Sequence, residues 1–214
     1  MTPRPAAPRS LPALALLALL SLALALLAPP AALPARSAQG AATGALRLTD
    51  ASGRALATLE PKASGVALRD GGGQALGEAR IEADRVKLRD GSGAERWKVK
   101  RKDYGAEIED AAGQRLYRIR SRQGGEWQLE DAGKAVIARA KPKDAGFELR
   151  DAGGATIAKV KPREGRVVFE AESGARLREL SGSADALAAT WLALDRFSLA
   201  ERGALWAYFA RVHK

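Results

Sequence analysis

The sequence predicts an all-β protein with C-terminal helices: an antiparallel up-and-down meander of about 13–14 strands, closed into a barrel around a hydrophobic C-terminal helix. Three observations lead there. A period of about twenty residues runs through the middle of the chain, each period holds two stretches of alternating apolar and polar residues around a glycine turn, and an apolar helical stretch follows the last period.

Taken in order, residues 1–38 have the layout of a signal peptide. Arg4 and Arg9 precede the apolar run ALALLALLSLALALLA at 13–28, and PPAALPARSA follows. Cleavage after Ala35 and cleavage after Ser37 both fit the small-residue rule. Left uncleaved, the run is short for a spanning helix but serves as a signal anchor once its flanks are included. The remainder is expected to be exported: periplasmic, envelope-associated or extracellular. Residues 39–45 read as a short linker.

With 46% hydrophobic residues in 214, the chain has enough apolar material for one domain with a sizeable core. The absence of cysteine excludes a disulfide framework, a thiolate metal site and a lipid-modified cysteine. The formal net charge is +10, and setting aside Arg4, Arg9 and Arg36 of the leader leaves it near +7. Such a balance favours anionic surfaces through a screened, unspecific attraction.

Residues 46–182 hold seven hairpin units. Aspartates recur at Asp50, Asp70, Asp90, Asp110, Asp131 and Asp151. Glycine follows at the third position in five of them, as Gly53, Gly73, Gly93, Gly113 and Gly154. Asp131 departs, with glycine at 133, and the seventh unit keeps Gly174 without an aspartate. Four and two positions before each aspartate stand apolar residues such as Leu46 and Leu48, Val86 and Leu88, Trp127 and Leu129, with polar residues between. That is a strand with one buried face. Alternation resumes after the turn, as in Trp97 and Val99 or Tyr117 and Ile119. An aspartate opening a type I turn accepts a backbone hydrogen bond two residues on, and a glycine at the fourth position takes the left-handed conformation that re-pairs the strands across a bulge. The other connections are equally short and glycine-rich, so neighbouring strands are antiparallel.

Residues 183–214 offer cover for the apolar face. Two helical stretches are expected, roughly 184–195 and 199–212, the second opened by a capping box of Ser198 and Glu201. Its body, GALWAYFARV, is apolar all round, as in a helix enclosed on every side. Asp195, Arg196, Glu201 and Arg202 argue against a membrane span. Small inward residues on the second strands, Ala57, Gly77, Ala79, Ala138, Ala140 and Ala158, leave room for a helix in the lumen beside Trp97 and Tyr117. The competing arrangement is two-layered, with the helices lying on an open sheet.

Hairpins of the form VKLRDGSG and FELRDAGG followed by a buried C-terminal helix resemble the tubby C-terminal and LURP-one-related group, to which the phospholipid scramblases are also similar. The resemblance spans most of the chain after the leader. It implies a barrel of about twelve strands around a hydrophobic helix, and it implies membrane association or lipid-headgroup binding. No headgroup-binding residue of that group matches a position here. A looser similarity is to the tyrosine-aspartate repeats of bacterial shell-forming proteins, but the tyrosine before each aspartate is missing, as at Thr49, Arg69 and Arg89.

Chemistry-bearing motifs are sparse. The single histidine, His213, is penultimate and suited to complement a helix C-terminus; a general base or metal site needs a constellation. Each DGSG or DGGG turn offers one carboxylate where a calcium loop needs several oxygens. No GxSxG elbow, phosphate-binding loop or HExxH is present. An enzyme is therefore disfavoured and no cofactor or metal is expected. The remaining signal is a basic set near the ends of the second strands: Lys100, Arg101 and Lys102, Arg120 and Arg122, Lys141 and Lys143, Lys161 and Arg163. A meander brings equivalent positions side by side, so these residues are expected on one rim and the adjoining outer face. There they serve either as protection of the sheet exterior or as a docking site for lipid headgroups or acidic envelope polymers. The leading expectation is a non-catalytic binding module for an anionic ligand, most plausibly lipid. The alternative is a structural or protein-interaction element, and nucleic acid is disfavoured by export and by few aromatics for stacking.

Overall fold

The computed structural model describes residues 44–183 and 185–213; the expected signal peptide and most of the linker lie outside them. Fourteen antiparallel strands close into a barrel in which each strand pairs with its sequence neighbours and the first pairs with the last. In order they are β1 (Leu46–Asp50), β2 (Ala55–Lys62), β3 (Gly65–Asp70), β4 (Ala75–Ile81), β5 (Arg85–Asp90), β6 (Glu95–Lys102) and β7 (Gly105–Asp110). There follow β8 (Arg115–Ser121), β9 (Trp127–Asp131), β10 (Val136–Lys143), β11 (Gly146–Asp151), β12 (Thr156–Arg163), β13 (Arg166–Glu170) and β14 (Arg176–Ser181). The open two-layer alternative is thereby replaced by full closure, which leaves no sheet edge among the described residues.

The aspartate turns form as their chemistry requires. In the first, Asp50 Oδ1 accepts from the amides of Ser52 at 2.9 Å and Arg54 at 3.0 Å, while the Gly53 amide donates to the Asp50 carbonyl. All six aspartates accept in this way from the amide four residues on. Each turn is followed by a register shift, so every unit carries one bulge. The fifth unit shows why its glycine is displaced in sequence. Lys134, not Gly133, occupies the left-handed position, with φ of 72°. A lysine there costs about 1 kcal/mol relative to glycine. Lys134→Gly is therefore expected to raise the chemical-denaturation midpoint, by about 1 kcal/mol in stability; an unchanged or lower midpoint would contradict the assignment.

Of the residues two and four before the turns, all but the partly exposed Phe147 are buried, and they line the lumen. The lumen is filled by the C-terminal segment: α1 (Ala186–Thr190), a 3₁₀ turn (Trp191–Ala193) and α2 (Leu199–Arg211). The first helical stretch is shorter than its expected span. Thr190 Oγ1 donates back to the Ala186 carbonyl at 2.7 Å, and the chain tightens into the 3₁₀ turn one residue later. The capping box on α2 is present, with Ser198 accepting from the Glu201 amide and Glu201 accepting from the Ser198 amide. Every residue of α2 from Arg202 to Ala210 is buried.

Inward residue size follows the path of the helices. α2 packs against β3, β4 and β5, where Gly77 and Ala79 are small, and α1 packs against β11 and β12, where Ala158 is small. On β6 and β8, which are farther from α1 and α2, Trp97 and Tyr117 fill the gap with Phe197, whose ring centroid is 5.2 Å from each. The outward face is charged, with register pairs such as Lys98 with Glu109 and Arg118 with Glu130. This is the reverse of the apolar band of a membrane-spanning barrel. No helix among the described residues is long and apolar enough to cross a membrane.

Candidate functional site

The two mouths of the barrel differ in kind. At one, the aspartate turns meet the start of α2. There Arg178 of β14 reaches Asp195 through both carboxylate oxygens at 2.6 Å, and Arg202 of α2 donates to Asp195 at 2.7 Å and to the Leu192 carbonyl at 3.2 Å. Two guanidiniums sharing one carboxylate tie the segment before α2 to the wall. Burial pulls the Arg202 pKa below the usual guanidinium range, against the nearby Asp195 charge that raises it.

At the other mouth the second strands end and α2 terminates. Tyr208 Oη, fully buried, donates to the Gly105 carbonyl at 2.7 Å and fixes the helix to β7. Burial pushes its pKa up to about 12, so the hydroxyl remains a donor. Beside it opens a cavity of about 430 Å3 whose walls include Arg101, Lys102, Asp103, Tyr104, Ser121, Trp127 and His213. His213 stands edge-on to Trp127, with ring centroids 4.6 Å apart. The β8–β9 connection here is the irregular one, a 3₁₀ turn at Gln123–Gly125.

The basic set expected from the sequence divides on inspection of its partners. Lys100 is held by Glu109 at 2.7 Å, Lys102 by Glu107 at 3.1 Å and Lys161 by Glu170 at 2.6 Å. Lys143 pairs with Glu148 at 3.3 Å and Lys141 with Glu126 at 3.7 Å. Arg122 donates to Glu130 and Gln128. Arg120 lies over the Tyr104 ring, 5.5 Å from its centroid. Arg101 and Arg163 make no ion pair among the described residues. Arg101 and Lys102 meet in the cavity, with Arg120 alongside at Tyr104; Lys141, Lys143, Lys161 and Arg163 sit on β10 and β12, away from it. The glutamates on the first strands carry the pairing, and their alternation with the basic residues is present in the sequence. What a basic count misses is register, which sets six of these nine cations beside a carboxylate of the neighbouring segment.

Sequence reasoning also missed two features at the aspartate mouth. One is the Arg178–Asp195–Arg202 cluster, of which Arg178 occupies an inward position that holds Ala57, Gly77, Ala138 or Ala158 in other units. The other is the identity of the bulged residue, which falls six positions after the first residue of the turn (an aspartate except for Ala171) and is Leu56, Leu76, Leu116, Ile137, Ile157 and Leu177 in six units. In the third unit it is Arg96.

No protein-family model matches this chain, and no curated protein does. Among solved structures, an X-ray structure of a protein from Arabidopsis thaliana is similar. It is 14% identical, with 71% of this chain and 90% of that chain covered and a TM-score of 0.34.

Proposed function

We propose that this protein is a non-catalytic binding module for an anionic ligand, a lipid headgroup at the cell envelope, and that Arg101 is its central contact. The observation that carries the reading is a guanidinium with no ion pair among the described residues, on the wall of a cavity that also presents the Ser121 and Tyr104 side chains. Burial, with Glu107 beside it, pushes the Tyr104 pKa up to about 12, keeping that hydroxyl protonated. Of the two basic residues lining this cavity, Arg101 is the one that a bidentate anion reaches without displacing a carboxylate. The positive balance after the leader, the leader itself and the resemblance to lipid-associated barrels support the same reading.

Flotation with neutral and anionic liposomes across a salt series tests it. Binding to anionic vesicles alone, weakened by salt and lost in Arg101→Glu but retained in Lys161→Glu, is the expected result. Retention in Arg101→Glu removes Arg101 from the site. The ion pairing of six of the eight remaining rim cations favours a second reading, a structural or protein-interaction element of the envelope. It predicts indifference to lipid composition and a specific protein partner captured by cross-linking.

A further inference from the structure

The bulged residues form a ring around the aspartate mouth. Five of them, Leu56, Leu76, Leu116, Ile137 and Ile157, pack against the core, and Leu177 is 39% exposed. At the seventh place, Arg96 turns to the rim, where its Nε donates to Asp90 Oδ2 at 2.6 Å. The side chain is 64% exposed, and no partner among the described residues takes its terminal nitrogens.

Where the seventh aliphatic side chain would have packed there is a cavity of about 520 Å3, within the range of about 300–1,000 Å3 typical of small-molecule sites. Its walls include Leu76, Leu88, Trp97 and Leu199 with the capping pair Ser198 and Glu201, whose carboxylate is engaged by the Ser198 amide, and Arg96 with Asp90 stands at its edge. Leu88 and Trp97 are only 2% and 5% exposed, so the cavity reaches down to core side chains. One substitution in a seven-fold ring thus opens apolar space and places a cation with spare donors at the opening.

From this we infer that the aspartate mouth binds a small amphiphile with a single apolar chain and an anionic head, of the fatty-acid class. The chain lies against Leu76, Leu88, Trp97 and Leu199, and the head is held by the terminal nitrogens of Arg96. Complementarity of charge and polarity selects this occupant. A neutral chain leaves the terminal nitrogens of Arg96, whose Nε alone is taken by Asp90, without an acceptor, and a free anion leaves the apolar walls uncovered. The site is independent of the Arg101 cavity at the opposite mouth.

Titration calorimetry of the full chain with decanoate, and with decanol as the uncharged counterpart, tests the inference. Decanoate is expected to bind at one site and decanol at least about tenfold more weakly. Arg96→Leu completes the aliphatic ring, narrows the cavity and removes the donors for the head, and is expected to abolish binding with the thermal midpoint kept or raised. Arg96→Ala keeps the space and is expected to bring decanoate down to the affinity of decanol. Arg101→Glu is expected to leave decanoate binding unchanged, which separates this site from the headgroup site. No binding to the unsubstituted protein, equal binding to Arg96→Leu, or loss of binding in Arg101→Glu would each overturn the assignment.

Discussion

Deleting residues 184–214 is expected to abolish the cooperative unfolding transition of this protein. The segment supplies Trp191, Leu192, Phe197, Leu205, Trp206 and Phe209, each at most 3% exposed. Burying one such side chain contributes about 1.5–3 kcal/mol, so together they contribute about 9–18 kcal/mol. A domain's whole stability is about 5–15 kcal/mol. Removing the segment also exposes the inward faces of fourteen strands to water. Thermal unfolding followed by circular dichroism, with a dye that reports exposed apolar surface, checks this. A sharp transition at an unchanged temperature would mean that the barrel stands without its plug. Addition of the segment as a separate peptide is expected to restore the transition in part, because the helix is joined to the wall by contacts and not by shared strands.

The next largest loss is expected from one methyl group at Gly146. This residue opens β11 with φ of 136°, and a Cβ built on it would lie 2.0 Å from the Val160 carbonyl oxygen and 3.1 Å from its carbon. The obstruction is backbone of the neighbouring strand, which has no rotamer to change, so relief requires β11 and β12 to separate. The conformational and steric costs together reach about 3 kcal/mol. Gly53→Ala is the matched comparison: φ is 86° there, nothing lies within 4 Å of the added carbon, and only the conformational part, about 1 kcal/mol, is expected. Urea midpoints of the two variants separate these contributions. Equal losses would show that strand proximity at Gly146 adds nothing.

The architecture was legible because every level of the sequence carries the same signal. The period gives the unit, the alternation gives the inward face, and the aspartate and glycine spacing gives the turn and its bulge. Gly77, Ala79 and Ala158 marked where helices would pass, and the apolar girth of GALWAYFARV marked the helix that would be enclosed. What escaped were relations between units. The pairing of Lys100 with Glu109, or of Lys161 with Glu170, spans nine residues of sequence and depends on which outward positions become neighbours across two strands. Arg178, Asp195 and Arg202 come from three elements, and no local spacing joins them. Arg96 was legible in principle. Aligning the units on the first residue of their turns shows an aliphatic residue at the sixth following position in the other six and an arginine in the third, a break that only the bulge geometry makes meaningful.

Closure of the ring between β1 and β14 has a consequence for how the chain reaches its shape. Thirteen of the fourteen strand pairings join immediate sequence neighbours and can form as hairpins within a few tens of residues. The fourteenth pairs Leu48 with Leu180, so its loop is nearly the whole domain. Loop entropy grows only slowly with length, but the two partners must wait for everything between them to be in register. A chain emerging from its N-terminus therefore presents a bare β1 edge until the last hairpin and the lumen helix have arrived. Any stall before that point leaves an open, curved sheet with an uncovered apolar face and two free edges, the form most prone to pair with another chain.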